Sequence, residues 1–270
     1  MTDQSSIDIS ISVVSHAQID LISELLKGLE QYCLVSRIEL ILTLNVAEIL
    51  PFSPESFAFP IKLVKNQVPL GFGANHNRAF SQSTGRYFCV INPDIRLNCN
   101  PFSSLLACMD HSSVGVIAPK VLSENGLLED SARRFPTPLT ILRKFFGRGL
   151  THDYEILNRP VYPDWIAGMF MLYPRDVFER LRGFDERYFL YYEDVDICAR
   201  LRLLGYQPMV CPQASVAHHA QRHSHGDLGY LRWHLRSMLR FFLLFAYWRV
   251  RYGSLLRPVL ATPVNNGLKQ

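Results

Sequence analysis

Three carboxylates close together in this chain have the residue types and spacing for acid–base or metal chemistry. Glu193, Asp194 and Asp196 follow an aromatic segment, residues 188–192. Apolar residues recur after them at helical spacing, and Gly205 is placed to end the helix. Acidic residues in a first helical turn can simply complement the helix dipole. Beside aromatic side chains, however, a carboxylate is costly to desolvate unless it meets a cation or takes a proton, which favours a functional site.

A fourth carboxylate, Asp94, directly follows an apolar segment that is predicted to be a buried strand, residues 87–91. In open α/β sheets, ligands bind beyond the carboxyl ends of the strands. A carboxylate held there by the rigid Pro93 is suited to a divalent cation. The alternative interpretation is an ordinary Asn-Pro-Asp turn with no ligand.

The histidines of the chain cluster late in the sequence, at His218, His219, His223 and His225. Such a cluster can ligate a metal or can be a polar loop. Taken with Asp94 and the acidic group, it suggests Mg²⁺ or Mn²⁺ at a nucleotide-diphosphate site. A nearby carboxylate would accept a proton from an attacking hydroxyl, and the cation would stabilise the departing diphosphate.

The elements that must position these residues alternate between strand and helix through about residue 120, which predicts a mostly parallel sheet with right-handed crossovers. After that point the pattern is less regular. The chain is predicted to form one catalytic-type domain, residues 1–228, with a C-terminal helical tail, residues 229–270. The predicted segments are strands at 7–15, 38–44, 61–65 and 87–91, helices at 19–34, after 71–77 and at 139–149, a strand or buried turn at 165–172, the acidic helix, and strands at 207–212 and 214–218.

The composition describes a globular protein. Of the 270 residues, 48% are hydrophobic and 19% charged, and the net charge of +4 is too small to indicate a nucleic-acid partner. The six cysteines contain no C-x-x-C pair, and the first residues lack the features of a signal peptide. These features predict a reducing, cytoplasmic compartment.

The tail carries Arg232, Arg236 and Arg240 at every fourth position of a segment otherwise rich in apolar residues. This pattern is typical of a basic amphipathic helix on an anionic membrane surface. It also fits a helix that packs on the domain and exposes its arginines to water, and both interpretations remain open. The uncharged apolar run at 241–248 is too short to span a bilayer.

Eight short motifs occur in an order that resembles the inverting family 2 glycosyltransferases, and especially the rhamnosyltransferases that extend lipid-linked glycans. The resemblance covers residues 9–240, and the tail segment 232–237 also resembles that subgroup. The motifs are Val13-Val-Ser15, Gly71-Phe-Gly-Ala-Asn-His-Asn77, Asn92-Pro-Asp94, Arg133-Arg-Phe-Pro136, Trp165-Ile-Ala-Gly168, Gly183-Phe-Asp-Glu-Arg-Tyr-Phe189, Glu193-Asp-Val-Asp196 and Ala217-His-His219.

The resemblance implies a GT-A fold, an α/β architecture with a Rossmann-like mixed sheet flanked by helices. It implies that Asp94 and His218 ligate Mg²⁺ or Mn²⁺. It further implies that Asp194 is the general base and that Glu193 orients the acceptor or the sugar. For Asp196, two residues into the helix, a structural role is as well supported as a role in the site.

The resemblance also assigns residues to a pocket for the nucleotide sugar. Glycines there would permit close backbone approach. Arg134 would pair with a diphosphate or make a surface salt bridge, and Trp165 would stack on a sugar or lie in the core. The assigned residues are Ser15, Asn45, Gly71, Gly73, Asn77, Asn92, Arg134, Trp165 and Gly168.

The chain departs from the family at Leu44, where an acid that reads the nucleotide base is expected. Base recognition is therefore predicted to differ. The predicted function is transfer of L-rhamnose from dTDP-rhamnose to a polyprenyl-diphosphate-linked saccharide, in cell-surface polysaccharide (O-antigen) synthesis at the cytoplasmic face of the inner membrane. The alternatives are a non-catalytic nucleotide-sugar-binding homologue and a metal-dependent phosphohydrolase that uses the histidine cluster.

Overall fold

The computed structural model describes residues 7–109, 113–145, 153–219 and 228–253. The predicted strands and the first helix of the first half are confirmed to within two residues, but the segment 71–77, predicted as a turn that opens a later helix, is itself mostly helical. The strands are β1 Ile9–Ser15, β2 Ile38–Leu44, β3 Ile61–Lys65, β4 Tyr87–Ile91, β5 Ile95–Arg96, β6 Val114–Ser123, β7 Ala132–Arg133, β8 Trp165–Ile166, β9 Phe170–Pro174 and β10 Gln207–His218. The helices are α1 Ile19–Cys33, α2 Phe72–Phe80, α3 Phe102–Met109, α4 Pro138–Phe145, α5 Arg175–Arg180, α6 Glu193–Leu203 and α7 Leu228–Tyr252.

Eight strands form one mixed sheet in the order β3-β2-β1-β4-β9-β6-β10-β5. The pairs among β3, β2, β1 and β4 are parallel, as predicted for the first half. β9 runs antiparallel to both β4 and β6. The Asn92 backbone N–H, just past the end of β4, donates to the Met169 carbonyl just before β9, at 2.9 Å. Because β9 begins where β4 ends, it must run in the opposite direction.

Both faces of the sheet are covered, so the alternating Ile and Ser residues of β1 are all buried. The isoleucines pack towards α1 and α3 in one core. The hydroxyls of Ser10 and Ser12 are satisfied by Glu39 Oε1 at 2.6 Å and His76 Nδ1 at 2.7 Å. Burial lowers the pKa of His76 to about 3, so its ring stays neutral and structural.

α7 packs with one face against the segment that precedes α6. Phe241 is fully buried, with its ring centroid 5.5 Å from that of Tyr192. The Ser237 hydroxyl donates to the Leu190 carbonyl at 2.9 Å, and the Trp233 ring stacks on Phe189 at 4.7 Å. Within the described residues, no helix combines the length and the hydropathy that crossing a bilayer requires.

Phe241→Ala is expected to destabilise the fold by about 3–5 kcal/mol, because truncating a buried phenylalanine removes contacts and leaves a cavity. The matched control on the same helix is Leu239→Ala. Its side chain is 61% exposed, so its truncation is expected to change stability by less than about 0.5 kcal/mol. Denaturant unfolding of both variants measures the difference, and equal losses would contradict the packing of α7 described above.

Candidate active site

Asp94 and His218 are brought together by the register of two strands. β5 pairs antiparallel with the end of β10, with Ile95 opposite His218. The His219 backbone N–H donates to the Asp94 carbonyl at 2.9 Å. This pairing places His218 Nε2 3.1 Å from Asp94 Oδ2, although the two residues are 124 positions apart in the sequence.

The other ring nitrogen of His218 faces a carboxylate that the sequence analysis did not single out. Its Nδ1 lies 2.7 Å from Glu129 Oε2. Burial opposes a charge on this imidazole, but the hydrogen bonds and negative charges of Asp94 and Glu129 outweigh that effect and raise the pKa of His218. The two carboxylates therefore favour a positive charge on or next to this ring.

The Asp94–His218 pair fits a divalent cation in its chemistry. Asp94 Oδ1 is buried and has no hydrogen-bond partner among the described residues. A buried carboxylate oxygen of this kind is costly unless a cation or donor meets it. No group of three or more His, Cys, Asp or Glu residues with metal-binding geometry occurs in the part of the chain that the structure describes. A cation here would thus have two protein ligands and open positions, as Mg²⁺ and Mn²⁺ sites at phosphates commonly do.

Asp194 is held in the first turn of α6 by the backbone. Its Oδ2 accepts a hydrogen bond from the Gly168 N–H at 3.1 Å, and its Oδ1 accepts one from the Val195 N–H at 2.8 Å. Burial raises the pKa of Asp194, and these backbone donors and the charge of Arg133 offset part of that effect. Burial, with the neighbouring charge of Asp194, raises the pKa of Glu193 further. Asp194 is therefore a stronger base than an ordinary aspartate.

The turn that presents these carboxylates is strained. Tyr191 and Tyr192 both have φ of +68°, in the left-handed region, immediately before α6. Each such residue costs on the order of 1–2 kcal/mol. The His234 ring of α7 packs on both tyrosines, with centroids 5.2 and 5.5 Å away, and helps to hold the turn.

A short backbone path connects Asp194 with the Asn92-Pro-Asp94 segment. Gly168 binds the Asp194 carboxylate, and the next carbonyl, that of Met169, accepts the Asn92 N–H. The structure thus brings Asp94 and His218 into direct contact. It links Asp194 to the end of β4, which precedes Asp94, through Gly168 and Met169. Asp196, by contrast, makes an i,i+4 ion pair with Arg200 at 2.8 Å. This contact favours a structural role for Asp196 over a catalytic one.

The segment predicted as a glycine turn, residues 71–77, forms the start of α2 and packs against the segment that precedes α6. A Cβ at Gly71 would lie 2.6 Å from the Phe189 carbonyl oxygen, and one at Gly73 would lie 2.6 Å from the Phe184 Cβ. The Asn77 side chain donates to the Phe184 carbonyl at 2.9 Å and accepts from its N–H at 2.8 Å. These contacts give all three residues a packing reason. Their contact with a nucleotide stays a prediction.

Ser15 and Asn45 lie at the ends of β1 and β2 and make defined contacts. The Ser15 hydroxyl donates to Glu48 Oε2 at 2.9 Å, and the Asn45 side chain bonds both the N–H and the carbonyl of Leu70. Glu48 also accepts the N–H groups of Ala17 and Ile19 at the start of α1. This carboxylate reaches the end of β1 and has no sequence signal that marks it.

Arg134 and Trp165, predicted to contact the diphosphate and the sugar, both contact other groups of the protein. The Trp165 indole N–H donates to the Arg134 carbonyl at 2.8 Å, and the ring is buried beneath the Arg133 guanidinium, 5.2 Å from its centroid. The Arg134 guanidinium lies over the Tyr154 ring at 5.7 Å. These contacts favour the core interpretation of Trp165. The charge that acts on Asp194 is that of Arg133, and it lowers the pKa of this carboxyl.

The remaining histidines are separate from this pair as far as the structure describes them. His219 is exposed and lies 2.9 Å from Glu124. His223 and His225 fall outside the described residues. Among the described members of the predicted cluster, His218 has its ring in contact with Asp94, whereas His219 reaches Asp94 only through its backbone N–H.

Comparison with known proteins gives sequence relatives that include rhamnosyltransferases. The chain is 31% identical over 189 residues to the N-acetylglucosaminyl-diphospho-decaprenol L-rhamnosyltransferase of Mycobacterium tuberculosis, a match covering 62% of this chain and 61% of the relative. It is 28% identical over 183 residues to the rhamnosyltransferase WbbL of Escherichia coli K12, covering 63% and 69%. The match therefore spans about three fifths of the mycobacterial relative's length. No family model matches.

Among solved structures, GalNAc-T7 in complex with UDP, GalNAc and Mn²⁺ superposes with a TM-score of 0.63 at 14% identity, covering 95% of this chain and 52% of that one. At that identity the likeness concerns the fold, and it confirms the predicted GT-A architecture. In sequence the chain is therefore similar to rhamnosyltransferases, and in fold to a GT-A glycosyltransferase.

Proposed function

We propose that this protein is an inverting glycosyltransferase that moves L-rhamnose from dTDP-rhamnose to a polyprenyl-diphosphate-linked saccharide in cell-surface polysaccharide synthesis. The observation that carries the proposal is the contact between Asp94 and His218, together with a buried, backbone-held Asp194 that a short backbone path links to the Asp94 segment. The relatives support the sugar and the acceptor, because one of them is an L-rhamnosyltransferase acting on a decaprenol diphosphate-linked N-acetylglucosamine. The dTDP nucleotide is proposed from the motif resemblance alone. The pairing of a metal position with a base is what metal-assisted displacement requires.

Asp94 and His218 would hold the divalent cation, with Asp94 Oδ1 as the oxygen that lacks a partner among the described residues. The GT-A neighbour contains Mn²⁺ together with UDP, which supports a cation bound beside a nucleotide. When bound, the cation would neutralise the negative charge that grows on the departing diphosphate.

Asp194 would take the proton from the acceptor hydroxyl as that oxygen attacks the anomeric carbon. Attack on the face opposite the departing diphosphate inverts the configuration. Its raised pKa suits this role, since a stronger base removes the proton more readily. Burial raises the pKa of Glu193 further, which favours its protonated form, and that form would donate a hydrogen bond to acceptor or sugar.

A screen of nucleotide sugars for thermal stabilisation, with and without Mn²⁺, tests the donor. A ligand present at 100 times its Kd stabilises the folded state by about 2.7 kcal/mol. We expect dTDP-rhamnose to raise Tm by several degrees only when Mn²⁺ is present. Stabilisation by UDP- or GDP-sugars instead would identify a different donor. No stabilisation by any nucleotide sugar would contradict the proposed transferase function.

We also propose that α7 rests on an anionic membrane, where a polyprenyl-linked acceptor would be found. Its outward face exposes leucines at every fourth position, flanked by the exposed Arg232 and Arg236. The opposite face, with Ser237 and Phe241, is buried on the domain. The helix therefore packs inward and offers an apolar, basic surface outward, which fits anionic lipid. The leucines are Leu231, Leu235, Leu239 and Leu243.

This proposal would put the protein on the cytoplasmic face of the inner membrane. It also keeps the division into a catalytic domain, residues 1–228, and a tail, residues 229–270, as part of the same proposal. The Arg240 guanidinium lies 6.0 Å from the Tyr188 ring centroid, on the domain side. The surface of α7 proposed to contact the membrane is therefore formed by the exposed leucines with Arg232 and Arg236, and does not include Arg240.

Replacing both Leu235 and Leu239 by glutamate is expected to weaken binding to phosphatidylglycerol-containing vesicles by at least about tenfold. Fully burying one leucine contributes about 1.5–3 kcal/mol. Even partial insertion of two leucines therefore contributes more than the roughly 1.4 kcal/mol to which a tenfold change in affinity corresponds. Co-sedimentation measures it. The control is Leu127→Glu, at a leucine that is 69% exposed away from α7. Wild-type sedimentation of the double variant would refute the membrane surface.

A further inference from the structure

His218 stands between two carboxylates that approach it from opposite sides. Asp94 Oδ2 lies 3.1 Å from Nε2, whereas Glu129 Oε2 lies 2.7 Å from Nδ1. An imidazole presents a lone pair on only one nitrogen when neutral, so the partner of the other nitrogen decides which one is available.

Glu129 is held rigidly enough to make that choice. It follows a tight turn after β6, in which Leu122 pairs with Leu128 in an antiparallel bridge. The Glu129 N–H donates to the Val121 carbonyl at 2.9 Å, and the Glu129 carbonyl accepts the Ser131 N–H at 2.8 Å. Both sides of its peptide backbone are therefore bound, and its carboxylate is only 23% exposed.

We propose that Glu129 is a positioning residue for the metal site. It accepts a hydrogen bond from His218 Nδ1–H, which fixes the tautomer and turns the Nε2 lone pair towards Asp94. Ligand histidines in proteins characteristically have such a carboxylate on the second nitrogen, which orients the ring and makes it a better ligand. This inference rests on the proposed metal-dependent function.

Two observations assign the roles in this order rather than the reverse. Asp94 keeps a buried oxygen without a hydrogen-bond partner among the described residues, and it adjoins the backbone path that leads to Asp194. Glu129 makes the shorter bond to the ring. The Asp94 side of His218 therefore faces the candidate site, and the Glu129 side supports the ring from behind.

Mn²⁺ titrations followed by electron paramagnetic resonance, with and without dTDP, test the proposal on the full-length chain. Glu129→Ala is expected to weaken Mn²⁺ binding about 10–100-fold, the usual effect of removing such a partner. Glu129→Gln is expected to be intermediate, because an amide oxygen still accepts from Nδ1–H. Glu124→Ala is the matched control: its partner is His219, 2.9 Å away, so Mn²⁺ affinity should not change.

The His218 tautomer gives a second readout that does not need the metal. Long-range ¹H–¹⁵N correlation spectra, at a pH where the ring is neutral, should show the Nδ1–H form in the wild type and a mixture in Glu129→Ala. Unchanged Mn²⁺ affinity in that variant would overturn the proposal, as would complete loss of binding, which would make Glu129 a direct ligand. If the wild type binds no Mn²⁺, the metal-dependent function fails, and the Nδ1–H tautomer alone decides whether Glu129 orients the ring.

Discussion

Replacing Asp194 with asparagine is expected to abolish glycosyl transfer while leaving nucleotide-sugar binding near normal. An amide of the same shape still accepts one of the two backbone hydrogen bonds, from Gly168 or Val195, but it cannot accept a proton. General bases contribute about 10²–10⁴-fold to rate, so kcat should fall by at least that range. Initial rates and calorimetric nucleotide-sugar binding, measured on the same preparation, separate the two effects.

The stability of this variant should change little, because two effects oppose each other. Asparagine leaves one backbone donor poorly matched, which costs about 1 kcal/mol. It also removes a buried carboxylate whose raised pKa shows that its charge is unfavourable in the fold. Asp176→Asn, at an exposed carboxylate on α5, is the control and should retain full activity. Wild-type turnover by Asp194→Asn would refute the assignment of the base.

The pH dependence of the wild type follows from the same raised pKa. A base must be deprotonated, so kcat is expected to fall as the pH drops through the pKa of Asp194. That acid limb should lie above the ordinary aspartate value of 3.8. The stability of the fold has the opposite sign: the folded state binds this proton more tightly than the unfolded chain, so stability is lost as the pH rises through the raised pKa.

Removing either member of the Asp94–His218 pair is the second large expected effect. Asp94→Asn and His218→Ala should each lower the Mn²⁺-dependent rate by about 10²-fold or more, because a bound cation supplies several kcal/mol of transition-state stabilisation. Rates measured against Mn²⁺ concentration test this expectation.

The double variant should be little worse than either single variant, since both residues serve one site. His219→Ala is the control, because that exposed ring pairs with Glu124 instead. A His218→Ala enzyme with an unchanged Mn²⁺ response would contradict the shared metal site. Strictly additive losses would show that the two residues act separately.

The parts of the fold that could be predicted are those governed by local pattern. β4 is a continuous apolar run, β1, β2 and β3 place apolar residues between polar ones at strand spacing, and α1 has helical periodicity, so their positions were evident. The direction of β9 was not, because it depends on where the preceding loop meets the end of β4. That contact, between Asn92 and Met169, joins residues with no local signal in common.

The candidate site divides in the same way. Asp94, Asp194 and His218 follow recognisable strand or helix boundaries, so they were predicted. Glu129 lies in a turn 89 residues before His218, and nothing in its neighbourhood distinguishes it from a solvated glutamate. The strained Tyr191–Tyr192 turn was also missed, because left-handed φ values at aromatic residues have no sequence signature and are maintained here by packing against α7.

The most direct test of the central claim is a transfer assay with purified wild-type protein, dTDP-rhamnose, Mn²⁺ and a polyprenyl-diphosphate-linked N-acetylglucosamine, followed by mass spectrometry and NMR of the product. We predict a rhamnosylated lipid with inverted anomeric configuration, formed only when the cation is present. Nucleotide-sugar binding without product would identify a non-catalytic homologue, and product with retained configuration would contradict direct displacement with Asp194 as the base.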